Sequence, residues 1–210
     1  MDSRLGNFSV KPPPLPLRYL EKENLKNKQW IQTFTGKKIE PLRADPSQVN
    51  IEDIAHALAY KCRYTGHCEP FYSVAEHSVR VAGLLPPDLK LAGLLHDAAE
   101  AYLPDVAAPI KSLIYLETPT GTRTFSYVEK EVLHAIGEGL DLVHNINLCE
   151  VEQVKYADLT MLATEVRDLM APPPSTWGLL LLPDPTIIEA WSAKEAEIEF
   201  LHLFHTLVGA

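Results

Sequence analysis

The chain has few of the features that would assign it at once to a familiar class of protein. Among its 210 residues are three cysteines and 19 basic residues against 28 acidic ones. No apolar run approaches the roughly 18 residues that a membrane helix requires. The cysteines, Cys62, Cys68 and Cys149, lack C-x-x-C spacing and are odd in number, so neither a disulfide framework nor a cysteine zinc site is expected.

The scarcity of basic charge also limits the partners. A net charge of −9 argues against a nucleic-acid polymer as partner, because backbone binding needs a basic face, but it allows a small anionic substrate. The first ten residues are polar and a proline cluster follows them, which is not the pattern of a secretory signal. We therefore expect a cytoplasmic protein that does not bind membranes.

The length and the 46% apolar content favour a single folded domain. Residues 1–28 are rich in proline and charge, which predicts an N-terminal arm, and residues 29–210 form the domain. From Gln29 to Glu40 apolar and polar residues alternate around Thr35-Gly36, which predicts a short β-hairpin.

The rest of the chain has helical periodicity. Asn50 is a predicted cap of the first helix, and Ser73 with Glu76 has the spacing of a capping box that opens a helix ending near Leu85. The remaining helices are predicted at 89–102, 122–139, 150–170 and 185–208. The fold class expected is an all-α bundle with a small N-terminal hairpin.

Three of these helices carry ionisable residues within their apolar stripes. His77 lies between Val74 and Val81, His96 falls in the stripe of the next helix, and Asp158 in that of the 150–170 helix. Singly, each fits a buried side chain satisfied by an ordinary hydrogen bond. Together, two inward histidines and an inward carboxylate can satisfy one another through a shared divalent ion. With the adjacent Asp97, the mixed nitrogen and oxygen donors suit Zn²⁺, Mn²⁺, Fe²⁺ or Co²⁺ better than Ca²⁺.

The order H…HD…D on successive helices resembles the HD superfamily of phosphohydrolases. Its branch of bacterial 5′-deoxynucleotidases is similar in three further motifs: the Arg63-Tyr64 pair, the H-D-x-x-E from His96 to Glu100, and the D-x-x-x-P-x-K from Asp105 to Lys111. Lys155, three residues before Asp158, adds a likeness to phage dATP triphosphohydrolases. The resemblance covers residues 50–170 and implies an HD-domain bundle.

The resemblance implies a role for each matched residue. The metal ligands would be His77, His96, Asp97 and Asp158. Glu100 and Asp105 would divide the proton transfers, in an order that the sequence leaves open. The implied substrate contacts are Arg63, Lys111 and Lys155 for the phosphates and Tyr64, Pro109 and Trp30 for the base or sugar. For Trp30, packing of the hairpin on the bundle is the alternative.

The function expected is hydrolysis of a deoxynucleotide at its α-phosphate, with dATP favoured and with deoxyadenosine and triphosphate as products. Two alternatives stay open: a 5′-deoxynucleotidase acting on monophosphates, and a non-catalytic nucleotide sensor. The cofactor expected is a divalent transition metal, with additional Mg²⁺ or Co²⁺ accompanying the substrate phosphates. The resemblance also implies a homo-oligomer, either a dimer or a hexamer, in the host cytoplasm if the gene is carried by a phage.

Overall fold

A computed structural model of the protein describes residues 29–142, 151–178 and 180–209. The predicted arm at 1–28 and Cys149 lie outside the described residues. The described part of the chain is all-α, as predicted, and contains two small hairpins, of which the N-terminal one was predicted. Its helices are α1 Ile51–Ala59, α2 Val74–Gly83, α3 Lys90–Leu95, α4 Ala108–Lys111, α5 Phe125–Gly139, α6 Glu152–Leu169 and α7 Ala193–Val208. None of these helices has the length and apolar content needed to cross a bilayer.

The N-terminal hairpin is confirmed. Strand β1, Ile31–Gln32, pairs antiparallel with β2, Lys38–Ile39, and the turn between them places Gly36 at φ +84°, a left-handed conformation that favours glycine. Thr35 donates from its backbone and hydroxyl to the two oxygens of buried Asp53, at 2.7 and 2.9 Å. These bonds attach the hairpin to α1.

The predicted caps of α1 and α2 are only partly confirmed. Asn50 accepts from Glu52 N at 2.9 Å, and Ser73 accepts from Glu76 N at 3.1 Å. The Glu76 side chain does not return to Ser73 to complete the box. It is fully buried and accepts instead from Arg80 and from Trp191 N, so this carboxylate joins α2 to the segment before α7. Helix α2 ends at Gly83, two residues before the predicted end.

The helix predicted at 89–102 is interrupted. Helix α3 ends at Leu95, and a 3₁₀ turn, Ala98–Ala101, follows after His96 and Asp97. In a continued α-helix the Gly93 carbonyl would accept from the Asp97 N–H, but here it accepts from His96 Nδ1 at 2.7 Å. The side chain of His96 therefore replaces a backbone bond at the point where the helix breaks.

A second hairpin was not predicted. Strands β3, Tyr115–Thr118, and β4, Gly121–Thr124, pair antiparallel around a turn with Gly121 at φ +109°. Residues 122–124, assigned to a helix from the sequence, are therefore strand. Helix α5 begins at Phe125, where Thr124 Oγ1 accepts from Tyr127 N at 3.2 Å.

The last helix is shorter than predicted, beginning at Ala193 rather than 185. Ser192 and Glu195 form a reciprocal capping box that sets this start. The preceding residues are held instead by α6, where Arg167 donates to the carbonyls of Asp184 and Thr186 at 2.7 and 2.9 Å. Backbone groups bound in this way are not free to form a helix.

The bundle core separates into two clusters of buried apolar side chains. The larger joins α1, α3, α5 and α7 and includes Leu58, Leu94, Ile136 and Phe200. The smaller lies between α2 and α6 and includes Tyr72, Val81 and Met161. Helix α2 packs against α3, α6 and α7, so His77, at its centre, faces polar side chains from α6 and from the break after α3.

Candidate metal centre

Two histidine rings face each other between α2 and the end of α3. Their Nε2 atoms are 3.3 Å apart. His96 Nδ1 must donate, because its partner is the Gly93 carbonyl, which can only accept. His77 Nδ1 lies 2.5 Å from Glu165 Oε1, and a carboxylate oxygen likewise accepts. In the neutral rings, both Nε2 atoms therefore carry lone pairs that point toward the same space.

Carboxylates from two other segments border the same space. Asp158 Oδ1 is 3.4 Å from His77 Nε2, and Asp97 Oδ2 is 3.3 Å from His96 Nε2 and 3.8 Å from His77 Nε2. Donor atoms of His77, His96 and Asp158 all lie within 4.8 Å of one another. The structure thus brings together the four residues predicted as metal ligands.

The spacing of these donors fits a divalent transition ion. Ligands bound at about 2.1 Å lie roughly 3 to 3.5 Å from one another. The distances between the two rings, and from the rings to the nearest carboxylate oxygens, are 3.3 to 3.4 Å. Two bare ring nitrogens at 3.3 Å repel each other unless a cation or a proton lies between them. Imidazole and carboxylate donors together can hold such an ion.

The electrostatics of the cluster favour positive charge. Although burial and Arg63 oppose the shift, Glu165 and Asp158 raise the pKa of His77 to about 9. Burial also acts against ionisation of Asp97 and Asp158, yet the neighbouring histidines hold the pKa of both carboxyls below the usual range. A field that favours a proton at the His77 ring also favours a divalent cation there.

Arg63 and Tyr64, predicted to contact substrate, lie against the carboxylates of this cluster. Arg63 is 3.2 Å from Glu165 Oε2 and 3.5 Å from Asp97 Oδ2, so it bridges two acidic side chains. The Tyr64 hydroxyl donates to the same Glu165 oxygen. Tyr64 and Thr65 have φ values of 54° and 51°, a left-handed conformation that is uncommon for non-glycine residues. Such strained residues cluster at functional sites.

Glu100 and Asp105 lie beside the cluster on the side of the 3₁₀ turn. Glu100 is buried, and its Oε2 has no hydrogen-bond partner within the described part of the chain. Burial, and then the charges of Asp97 and Asp105, raise the pKa of Glu100 to about 8. At neutral pH this pKa favours the protonated form of the Glu100 carboxyl, which lies near Asp97. Asp105 is half-buried in the loop that follows.

The two lysines predicted to bind phosphates are both paired. Lys111 Nζ is 2.7 Å from Glu129 Oε1, on α5, and Lys155 Nζ is 3.0 Å from Asp158 Oδ2. The Lys155 side chain is 67% exposed, so it can turn from Asp158 to a ligand at little cost. Lys111 is less exposed and would have to leave Glu129.

The remaining two predicted base contacts are not tied to the cluster by any contact among the described residues. Pro109 is exposed on the short helix α4. Trp30 is 42% exposed and lines an apolar surface groove with Val106, Ile114 and Phe125. This position agrees with the alternative given above, in which Trp30 packs the hairpin on the bundle. Val106, in the lining of this groove, is the residue that follows Asp105. The roles of Pro109 and Trp30 as base contacts stay predictions.

Two residues of the site were missed by sequence reasoning. Glu165 follows Asp158 by seven residues, so its inward direction was visible, but nothing in the sequence indicated its partner. Lys61 donates from Nζ to the carbonyl of Glu100 and, at 2.7 Å, to that of Leu103, which holds the turn carrying Glu100. A lysine at the end of a helix gives no periodic signal of such a role.

Comparison with known proteins shows the family of this chain, but the names of the relatives state no activity. No established domain-family profile matches the chain. The uncharacterized protein YfdR of Escherichia coli K12 is 37% identical over 151 residues, which are 72% of this chain and 78% of YfdR. The chain belongs to the YfdR family. An uncharacterized protein of Rhodobacter capsulatus is 39% identical over 94 residues, 40% of this chain and 48% of its own length.

The YfdR relationship extends over most of the chain, so it is a relationship between whole domains rather than between short motifs. Neither relative's name states a ligand or a reaction. A function for this member of the YfdR family must therefore be argued from its site.

Proposed function

We propose that this protein is a metal-dependent phosphohydrolase of the HD superfamily that cleaves a deoxynucleotide at its α-phosphate. The observation that carries the proposal is the pair of ring Nε2 atoms of His77 and His96, 3.3 Å apart, with the carboxylates of Asp97 and Asp158 beside them and the buried Glu100 carboxyl near Asp97. These side chains together offer ligands for a cation and, in Glu100, a proton donor.

In this proposal the divalent ion is held by His77, His96, Asp97 and Asp158, and when bound it supplies Lewis-acid polarisation of a phosphoryl oxygen. The ion would be Zn²⁺, Co²⁺, Mn²⁺ or Fe²⁺, with further Mg²⁺ or Co²⁺ brought in with the substrate phosphates. The protein's contribution is a set of ligands already oriented by hydrogen bonds.

Glu100 is the residue proposed to move the proton. Water forms the new bond to the α-phosphorus, the bond from that phosphorus to the 5′-oxygen breaks, and the leaving oxygen takes a proton. Because the pKa of Glu100 is raised to about 8, the carboxyl holds a proton at neutral pH and can give it to that oxygen. Asp105 is the neighbour that could take up the proton from the attacking water.

Positive side chains at the border of the site are proposed to bind the phosphates. Lys155 is the readiest to do so, since its side chain is largely exposed and already reaches the ligand Asp158. Arg63 lies beside Asp97, where a guanidinium can contact phosphate oxygens while staying paired. Lys111 would have to break its ion pair with Glu129 in order to contact a phosphate.

The favoured substrate is dATP, with deoxyadenosine and triphosphate as products. This choice rests on the resemblance to phage dATP triphosphohydrolases, and Tyr64, Pro109 and Trp30 are the residues it assigns to the base and sugar. We further propose that the protein acts in the cytoplasm as a homo-oligomer, a dimer or a hexamer, which sedimentation analysis would measure.

A substrate panel tests the proposal. Purified protein loaded with Co²⁺ or Mn²⁺ is incubated with the four dNTPs, the four dNMPs and 2-aminoadenine dNTP, and the products are identified by mass. We expect triphosphate from dATP and much less product from dGTP, with Asp158→Asn as the inactive control. Hydrolysis of dNMPs alone would indicate a 5′-deoxynucleotidase. Binding of nucleotide without any turnover would indicate a sensor, and equal rates on all dNTPs would contradict the adenine preference.

A further inference from the structure

Glu165 is a fully buried carboxylate that neither the sequence motifs nor the proposed reaction uses. It lies on α6, seven residues after Asp158, so both side chains emerge from the same face of that helix. Removing a carboxylate completely from water is costly unless donors surround it. Every partner of Glu165 therefore bears on what the residue does.

All three partners of Glu165 belong to the candidate metal centre. His77 Nδ1 lies 2.5 Å from Oε1, while Arg63 at 3.2 Å and the Tyr64 hydroxyl share Oε2. Within the part of the chain that the structure describes, these three side chains are the hydrogen-bond partners of the Glu165 carboxylate. Both of its oxygens are thus committed to residues that line one site.

We propose that Glu165 is a positioning residue, which orients His77 and keeps its Nε2 available for the divalent ion. By accepting from Nδ1–H, the carboxylate selects the tautomer in which Nε2 has no proton, and it fixes the rotation of the ring. A carboxylate behind a metal-bound histidine also makes the ring a stronger donor. This inference rests on the metal site of the proposed function.

Glu165 acts on a second ligand through Arg63. The guanidinium that donates to Glu165 lies 3.5 Å from Asp97 Oδ2, so the position of Arg63 links the carboxylate of α6 to the ligand that follows α3. Loss of the Glu165 charge would leave Arg63 free to pair more closely with Asp97. That pairing would draw negative charge away from the ion.

Asp53 provides a matched control because it is also a buried carboxylate with its oxygens satisfied. Its partners are the backbone and hydroxyl of Thr35 in the N-terminal hairpin. Neutralising Asp53 removes a buried charge and its hydrogen bonds without touching the histidines. A purely structural role for Glu165 would make the two substitutions equivalent in their effect on metal binding.

The test measures Co²⁺ binding rather than turnover. Apo protein is titrated with Co²⁺ against a chromophoric chelator, and the visible spectrum of bound Co²⁺ and the melting temperature of the apo protein are recorded. For Glu165→Gln we expect Co²⁺ affinity to fall about 10–100-fold, with an altered spectrum. The amide offers one acceptor oxygen to three donors, so it cannot replace the carboxylate. Asp53→Asn should lower the melting temperature and leave affinity and spectrum unchanged.

If Glu165→Gln does not fold, Glu165→Asp serves instead, because it keeps the charge but retracts the oxygens from the ring, and we expect weaker Co²⁺ binding there too. Wild-type affinity and spectrum in a folded Glu165 variant would overturn the inference. Absence of Co²⁺ binding by the wild-type protein would overturn both the metal site and the inference. A negative substrate panel with weakened Co²⁺ binding in Glu165→Gln would reject the proposed reaction alone.

Discussion

His77 and His96 face each other through ring Nε2 atoms 3.3 Å apart, and the Nδ1 atom of each ring lies against an acceptor on the opposite side. The acceptors differ: one is the Glu165 carboxylate of α6 and the other is the carbonyl of Gly93 in α3. A carbonyl can orient a ring but adds no charge, whereas a carboxylate also strengthens the ring as a donor. The two histidines are therefore not equivalent, although the sequence presents both as inward positions.

Asp97→Ala should abolish retention of the metal. The Asp97 carboxylate lies 3.3 Å from His96 Nε2 and its negative charge offsets that of the ion, so its loss removes both a donor and a counter-charge. Metal content per chain after desalting, measured by atomic absorption, checks this expectation. Asp88→Ala, in the exposed turn before α3, is the matched control and should bind metal normally. Full metal content in Asp97→Ala would remove Asp97 from the ligand set.

Glu100→Gln should keep the metal and lose turnover. The amide preserves the size of the buried side chain but cannot give up a proton, and loss of a general acid or base typically costs about 10²–10⁴ in rate. The measurement is kcat on the best substrate of the panel together with metal content. Asp105→Asn in parallel tests the second carboxylate. Near wild-type kcat in Glu100→Gln would assign the proton transfer elsewhere.

Lys61→Met should destabilise the fold and slow turnover. The Lys61 ammonium donates to the carbonyls of Glu100 and Leu103 in the 3₁₀ turn that carries the proton donor, and burial lowers its pKa. Losing hydrogen bonds from a charged donor costs about 1.5–3 kcal/mol of unfolding free energy. Urea unfolding measures the change. Lys38→Met, an exposed lysine paired with Glu40, should cost under about 1 kcal/mol, and an equal effect of both would contradict a special role for Lys61.

Gly139→Ala should be destabilising where Gly83→Ala is not. Both glycines are the last residues of their helices. A Cβ at Gly139 would lie 2.4 Å from the Pro46 carbonyl oxygen and 2.7 Å from Val49 Cβ, whereas one at Gly83 would meet nothing within 4 Å. Forcing an added carbon against the backbone costs about 1–3 kcal/mol. Thermal unfolding of the two variants compares them, and Gly83→Ala should be neutral or stabilising by up to about 1 kcal/mol.

Local chemistry accounts for the parts of the fold that were predicted. Alternation around Thr35-Gly36 predicted the first hairpin, and the cap residues Asn50 and Ser73 marked where α1 and α2 begin, because caps and turns depend on a few neighbouring residues. The predictions fail where side chains that are distant in the sequence form hydrogen bonds with the backbone. Residues 185–192 are not helical because α6 binds their carbonyls and amides through Arg167 and Asp168.

The sequence by itself determined that His77, His96 and Asp158 point inward, since inward direction follows from 3.6-residue periodicity. Only the tertiary structure decided which residues surround them. The helix breaks at His96 because its ring takes the Gly93 carbonyl, and Glu165 meets His77 because α6 packs against α2. Periodicity describes one helix at a time, whereas a hydrogen bond between helices depends on how they are packed together, which no single helix encodes.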